Sequence, residues 1–263
     1  MQETAKMTEF RRIDFSKFSS VKIGGVFDVQ ILHANSDFNG IVIGGANNIL
    51  ISPNPPKLGI LSDEFNFIKL NGDLLTIGAA CKSAKIYNFA KRENIAGFEF
   101  LRNIPGTLGG LITMNAGLAG FEISNNLINV KTNFGIFDKK DLNFSYRKSE
   151  IQGVILEAAF KISRGFDAAL SDEIFAKRKN QPKSATFGSI FKNTKGDFAG
   201  RLIEAAGLKG FQIGAAKFSE IHANFLINTG GATFTDAIEL INLAKKKVFE
   251  KFGVKLECEV KIL

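Results

Sequence analysis

The stretch Asn103-Ile104-Pro105-Gly106-Thr107-Leu108-Gly109-Gly110, running on to Asn115-Ala116-Gly117, joins a proline-fixed turn to closely spaced glycines and carries no charge. Gly106, Gly109 and Gly110 lack the Cβ that would hold a ligand off the main chain. Backbone amides bared by such a loop form an electropositive seat for a pyrophosphate or a flavin edge. A second turn, Gly44-Gly45-Ala46-Asn47-Asn48, follows the apolar run Ile41-Val42-Ile43. Amides at a strand end can cradle phosphate in the same way, although a plain strand-to-loop turn has the same composition.

Two further motifs carry side chains able to act on whatever those loops hold. In Tyr146-Arg147 an arginine follows an aromatic residue, which suits fork-like recognition of a carboxylate or phosphate; the alternative is a solvated surface arginine. Ser189 stands between Gly188 and the apolar pair Ile190-Phe191, with Lys192 and Asn193 as nearby donors. It is a proton donor or nucleophile on one reading and a helix N-cap on the other. Ser189, His222 and Glu259 are also the residue types of a hydrolase triad. A nucleophile elbow needs glycine two residues to either side of the serine, and Phe187 and Phe191 occupy those positions.

Other chemistries are excluded by what is missing. No two glycines are separated by a single residue, so the dinucleotide fingerprint GxGxxG cannot occur. With 2 histidines, His33 and His222, and with Cys81 and Cys258 far apart, no metal site and no disulfide is expected, and cysteine usage fits a reducing compartment. The early residues Glu3, Lys6, Glu9, Arg11, Arg12 and Asp14 leave no apolar signal core, so a cytoplasmic protein is expected. The longest uncharged run, 103–121, contains Pro105, two asparagines and five glycines, which argues for a buried loop and helix over a membrane span. A net charge of +8 favours anionic partners. The basic run Lys245-Lys246-Lys247 reads as a solvated helix face, and no cluster of arginines with interleaved aromatics marks a nucleic-acid surface.

The elements that must position these groups follow from periodicity. Segments 21–25, 27–32, 40–44, 130–137 and 153–162 read as strands, and 83–93, 167–179 and 198–206 as helices. Ala237, Ile241, Ala244, Val248 and Phe252 fall at helical spacing in 235–252, which Gly253 stops. Residues 254–263 alternate with period two, as a half-buried strand does, with Lys255, Glu257, Glu259 and Lys261 in one row.

Taken in order, these pieces resemble the UDP-N-acetylenolpyruvoylglucosamine reductase family over nearly the whole chain. The matching motifs are Phe18-Ser-Ser-Val-Lys-Ile-Gly-Gly25, the turn at Gly44, Ile104-Pro-Gly-Thr-Leu-Gly-Gly110 with Asn115-Ala-Gly117, Tyr146-Arg-Lys-Ser149, Gly188-Ser-Ile-Phe-Lys-Asn193, Ala206-Gly-Leu-Lys-Gly-Phe-Gln-Ile-Gly214, His222-Ala-Asn-Phe-Leu-Ile-Asn228 and Leu256-Glu-Cys-Glu-Val260. The resemblance implies an α+β flavoenzyme with an oxidase-type FAD-binding domain of two α/β subdomains and a C-terminal α/β substrate domain. The implied division is 1–70 with the strand 254–263, then 71–165, then 166–253. It further implies noncovalent FAD held by Gly44, Gly45, Ala46, Asn47, Asn48, Ile104, Pro105, Gly106, Gly109, Gly110, Asn115 and Gly117. His33 is the side chain near enough in sequence to carry a covalent link instead.

NADPH is the implied reductant, a UDP-sugar enolpyruvyl ether the substrate, and cell-wall peptidoglycan synthesis the setting. Ser189 matches the family's proton donor, Arg147 and Glu259 the groups that stabilise the enolic intermediate, and Tyr146, Lys192 and Asn193 the substrate contacts. A glutamate assists such a step only in a protonated or proton-sharing form. Two departures stand out: Ala46-Asn47-Asn48 replaces the family's Gly-Ser-Asn, and 33–39 is too short for the helix usual there. A monomer without membrane or nucleic-acid partners is expected. The alternatives are another FAD oxidoreductase of the same fold, a flavin-binding sensor without turnover, and a basic nucleic-acid-binding protein.

Overall fold

The computed structural model describes residues 8–263. They form two compact units interleaved along the chain: residues 8–13, Phe27–Gly44 and Pro56–Ser171 make one, and Asp14–Val26, Gly45–Pro55 and Asp172–Leu263 the other. Helices and largely antiparallel sheets are mixed in both, so the fold class is the expected α+β. Among the described residues no helix is long and apolar enough to cross a membrane.

The first unit holds two larger sheets, beside two short hairpins. One orders the strands Phe10–Asp14, Val26–Leu32, Leu58–Leu61 and Ile41–Val42, the last three parallel. Its β-branched and apolar runs suit strands buried in a core. The connection 33–40 turns at His33 without a helix, as its length requires. The other sheet is antiparallel, in the order Gly135–Asp138, Leu127–Thr132, Ile155–Lys161, Leu74–Gly78, Ile68–Asn71. Residues 130–137 are therefore two strands and not one, since the chain reverses at Asn133 and Phe134 and Gly135 takes a φ of 138°. The helix Ser83–Arg92 buries Ile86 and Ala90, as its spacing predicts.

In the second unit the strands Ala185–Ser189, Phe225–Asn228, Ala216–Phe218 and Gln212–Ile213 form an antiparallel sheet. The helices Ala199–Ala205 and Phe234–Phe252 share its core with Phe187, Ile190, Phe191, Phe218 and Leu226. Ala237, Leu240, Ile241, Ala244 and Val248 are the buried stripe of the long helix. Residues 21–25 form a loop, with Lys22 and Gly24 at positive φ; Val21 and Ile23 are buried in that core, and Asn228 Nδ2 donates to the carbonyls of Val21 and Lys22. The sequence pattern reported burial there, which a strand and a pinned loop satisfy equally.

Both ends of the long helix are set locally. Asp236 N–H donates to Thr233 Oγ1 at 3.1 Å, and Thr233 N–H to Asp236 Oδ2 at 2.9 Å, a capping box; Gly253 closes the helix at φ 67°. The Thr233 backbone amide holds the Asp236 carboxyl below the usual range, helped by the Ala215 amide and the Thr233 hydroxyl. A carboxyl pKa lowered on folding stabilises above its unfolded value and loses that contribution as pH falls through the folded one. Asp236→Ala is thus expected to cost about 1 kcal/mol at neutral pH, and less as pH drops below about 4. Urea denaturation at the two pH values checks this.

Candidate functional site

In the first unit the glycine loop is built around a short helix. A 3-10 turn at Glu99–Asn103 leads through extended Ile104 and Pro105 to Gly106, at φ 136°, and then into the helix Leu108–Thr113. Leu108, Leu111 and Ile112 anchor its inner face. The glycines serve different ends. Gly109 lies against Ala79, where a Cβ would make contact at 3.4 Å, whereas at Gly117 a Cβ would come 2.4 Å from the Phe121 carbonyl, so packing explains Gly117. Gly110 is exposed, and a Cβ there would meet nothing closer than Thr107 Oγ1 at 3.8 Å. The protein's own packing does not need that residue to be small.

Asn115 ends the loop at φ 39° and is buried. Its Nδ2 donates to Glu122 Oε2 at 2.8 Å and to the Ser145 carbonyl at 3.2 Å, while its Oδ1 is buried with no partner among the described residues. A buried acceptor left unmade costs about 1–3 kcal/mol, which a donor on a bound group would offset. Gly44, at φ 51°, lies beside the same loop, and a Cβ on it would sit 2.8 Å from Thr107 Oγ1. The orphaned Asn115 acceptor and the uncovered backbone at Gly110 fit a flat, polar cofactor, whereas the contact with Thr107 is itself enough to account for a glycine at 44. Ile104, Pro105 and Gly106 carry the chain into this loop. His33 faces two carboxylates, with Nδ1 2.9 Å from Glu64 and Nε2 3.6 Å from Glu9.

Tyr146 and Arg147 form the turn of the hairpin Phe144–Ser145 and Lys148–Ser149. Three contacts clip this hairpin to the end of the glycine loop: Asn115 to Ser145, Ser149 Oγ to the Thr113 carbonyl at 3.0 Å, and Arg147 Nη2 to the Gly117 carbonyl at 3.0 Å. Arg147 has a φ of 57°, and its guanidinium lies 5.0 Å from the centroid of the Tyr146 ring. The arginine is thus no loose surface charge. Backbone shape, a carbonyl and an aromatic face all constrain it.

In the second unit Ser189 ends the strand Ala185–Ser189 and caps no helix. Pairing with Phe225–Asn228 slips between Thr186 and Ser189, where Gly188 takes a φ of 87°. An extra residue at such a bulge re-aims the side chain that follows. The C-terminal segment lies against the residues just beyond: Lys192 N–H donates to the Glu257 carbonyl at 2.9 Å, Phe191 and Cys258 form a bridge, and both Glu259 N–H (2.8 Å) and Val260 N–H (3.3 Å) reach the Ile190 carbonyl. Residues 254–263 are therefore not one continuous strand; only Lys261–Ile262 pairs regularly, in parallel with Ile49–Leu50. Two amides on one carbonyl is the bulge pattern, and it takes Glu259 out of the exposed row: Lys255, Glu257 and Lys261 are exposed, Glu259 is half-buried.

The neighbouring polar groups are mostly engaged. Lys192 Nζ is 2.6 Å from Glu257 Oε1, and Asn193 Oδ1 accepts from Ala199 N–H at 3.2 Å at the start of the helix Ala199–Ala205. Asn224, which residue types alone did not single out, is buried. It clamps Phe191 by accepting from its N–H at 3.0 Å and donating to its carbonyl at 2.8 Å. His222 accepts from Asn224 N–H at 3.3 Å, its ring edge meets Phe225, and burial pushes its pKa down. That is a structural histidine, with Nδ1 already used. In the glycine turn Ala46 is buried at φ 47°, its carbonyl and that of Asn47 accept from Ser20, and the Asn48 side chain donates to the Glu259 carbonyl at 3.0 Å.

Known proteins resemble this chain along nearly all of its length. The model of the UDP-N-acetylenolpyruvoylglucosamine reductase C-terminal domain matches residues 181–263. A protein from Campylobacter jejuni (strain RM1221) called UDP-N-acetylenolpyruvoylglucosamine reductase is 54% identical over 256 residues, covering 95% of this chain and 99% of its own. A protein of the same name from Helicobacter hepaticus is 49% identical over 257 residues, with 95% and 98% covered. Among solved structures, the crystal structure of UDP-N-acetylenolpyruvylglucosamine reductase from Thermus caldophilus superposes with a TM-score of 0.84 at 28% identity, over 97% of this chain and 99% of that one.

Proposed function

The chain belongs to the UDP-N-acetylenolpyruvoylglucosamine reductase family, and on that premise we propose that its glycine turns hold FAD noncovalently and that Arg147, Ser189 and Glu259 carry the reaction with NADPH as reductant. The protein is an oxidoreductase that uses a nicotinamide reductant to reduce the enolpyruvyl ether of UDP-N-acetylenolpyruvoylglucosamine to UDP-N-acetylmuramate, a step of peptidoglycan synthesis. The proposed setting is the cytoplasm, with a monomer acting on its two small-molecule substrates.

The chemistry that bound FAD supplies is hydride transfer, from NADPH to C3 of the enolpyruvyl ether. Gly44, Gly45, Ala46, Asn47 and Asn48 and the loop from Ile104 to Gly117 would hold it, with Gly110 leaving room for close approach and Asn115 Oδ1 available to a donor. Charge then develops on the substrate carboxylate, and a fixed guanidinium is worth most where charge develops. Arg147, braced by Gly117 and Tyr146, supplies it. Ser189 hands its hydroxyl proton to C2. A serine hydroxyl is a weak acid, and it serves because the carbon it protonates is strongly basic. Glu259 shares a proton with the enolic oxygen. Tyr146, Lys192 and the Asn193 amide contact the UDP-sugar, with the remaining ammonium hydrogens of Lys192 available beside Glu257.

The observation that carries this reading is the bulged pairing of 190–192 with 257–260. It sets Glu259 on the carbonyl of the residue that follows Ser189. The test is the purified protein's visible spectrum and its two half-reactions. Flavin absorption should bleach anaerobically with NADPH and return on adding the UDP-sugar substrate. A colourless protein, or flavin that bleaches and never returns, sinks the proposal; the second result would mark a sensor or another flavin oxidoreductase. Gly44→Val is expected to strip the flavin from a folded protein, because a β-branched residue at positive φ is strained and its Cβ would press on Thr107. Circular dichroism beside the absorption spectrum checks that loss.

A further inference from the structure

The side chain of Asn48 lies in the turn assigned to the cofactor, yet its Nδ2 donates 3.0 Å to the main-chain carbonyl of Glu259, 211 residues away. Its own carbonyl accepts from Lys261 N–H at 3.0 Å. Asn48 therefore brackets Val260 from one side, gripping the chain just before and just after it. On the other side the Ile190 carbonyl takes the amides of Glu259 and Val260. Between the bridge at Cys258 and the pair beginning at Lys261 no regular ladder fixes the main chain. The peptide that follows Glu259 is held at its carbonyl by the Asn48 side-chain amide and at its N–H by the Ile190 carbonyl.

We infer that Asn48 is a positioning residue for the reduction: its amide fixes the carbonyl of Glu259, and so the direction of the Glu259 carboxyl, through a contact separate from any that the turn makes to the cofactor. This rests on the proposed role of Glu259. The turn residues and the glutamate are thereby coupled, since the segment that seats the cofactor also sets the acid. A carboxyl that drifts by about 1 Å can lose roughly 100-fold in rate.

The test is a double-mutant cycle on the FAD-saturated holoprotein, with flavin reduction by NADPH and flavin reoxidation by the UDP-sugar measured separately. In Asn48→Ala the ratio of the reoxidation to the reduction rate constant is expected to fall roughly 10- to 100-fold. In a Glu259→Ala background the same change should alter that ratio by less than about twofold, because the group it positions is gone. Asn48→Asp keeps the shape, removes the donor and sets an oxygen against the carbonyl, and should reproduce the selective loss if the alanine variant folds poorly. Equal slowing of both half-reactions, or losses that multiply in the double variant, would overturn the inference and leave Asn48 a cofactor contact. If Glu259→Ala alone reoxidises like the native protein, the role of Glu259 fails first, and the inference with it.

Discussion

Ser189→Ala is expected to slow reoxidation of the reduced flavin by the UDP-sugar by roughly 10²- to 10⁴-fold, the range of a lost general acid, while the NADPH half-reaction proceeds near its native rate. The asymmetry follows from chemistry. On the proposed flavin mechanism, hydride delivery to the flavin would need no proton from this serine, whereas hydride addition to the enol ether would leave a carbon that must be protonated. The surroundings are set up to keep the hydroxyl in place. Gly188, at φ 87°, makes the bulge that ends regular pairing, and Ile190 and Phe191 beyond it are buried and tied to Asn224. Among the described residues no hydrogen bond uses the Ser189 oxygen, so the alanine variant should fold and bind flavin. Stopped-flow traces of the two half-reactions decide the matter, and an equal loss in both would remove the serine from the proton step.

What could be read from the residues alone tracks how local the signal was. The long helix was legible to within a residue, because its apolar stripe and the stop at Gly253 are written in the sequence itself, while the cap at Thr233 emerged from the structure. The turn at Asn133 and Phe134 was not, since it carries no asparagine–glycine pair and its flanks share one β-branched pattern. For 254–263 the burial alternation was right and the continuous ladder wrong: Leu256 and Val260 are buried in turn, but a bulge at Glu259 breaks the pairing. That same irregularity separates Glu259 from the exposed row in which simple alternation had placed it.

The site divides in the same way. Glycine turns announce themselves by composition, whereas the nearness of Ser189 and Glu259 is a tertiary fact that no spacing contains. The ordered motifs pointed to it only through likeness to a family. Asn48 shows the limit most plainly, because its composition-level reading was a phosphate cradle and its observed bond is to a carbonyl near the other end of the chain. The interleaving of the two units was equally invisible, since the crossings at 13/14, 26/27 and 171/172 fall inside strands and a helix, where no linker's composition marks them.

Glu259→Gln should reduce reoxidation by roughly 10²- to 10⁴-fold, whereas Glu257→Gln should leave it within about twofold of native. The two residues differ in setting far more than in sequence. Glu257 has a side chain that is 73% exposed and is paired to Lys192, and an ion pair with one solvated partner contributes about 0–1 kcal/mol. Glutamine at 257 keeps an amide oxygen that the Lys192 ammonium can still meet. Glu259 is half-buried, with its amide on Ile190 and its carbonyl on Asn48, so its main chain is held on both sides. Glutamine keeps the size and the hydrogen-bonding edge of glutamate while taking away the proton that can be shared, so stability and flavin content should hold while the rate falls. If Glu257→Gln were the damaging change and Glu259→Gln the silent one, the assignment of the acid along 257–260 would be wrong, and the bulge would have only a structural use.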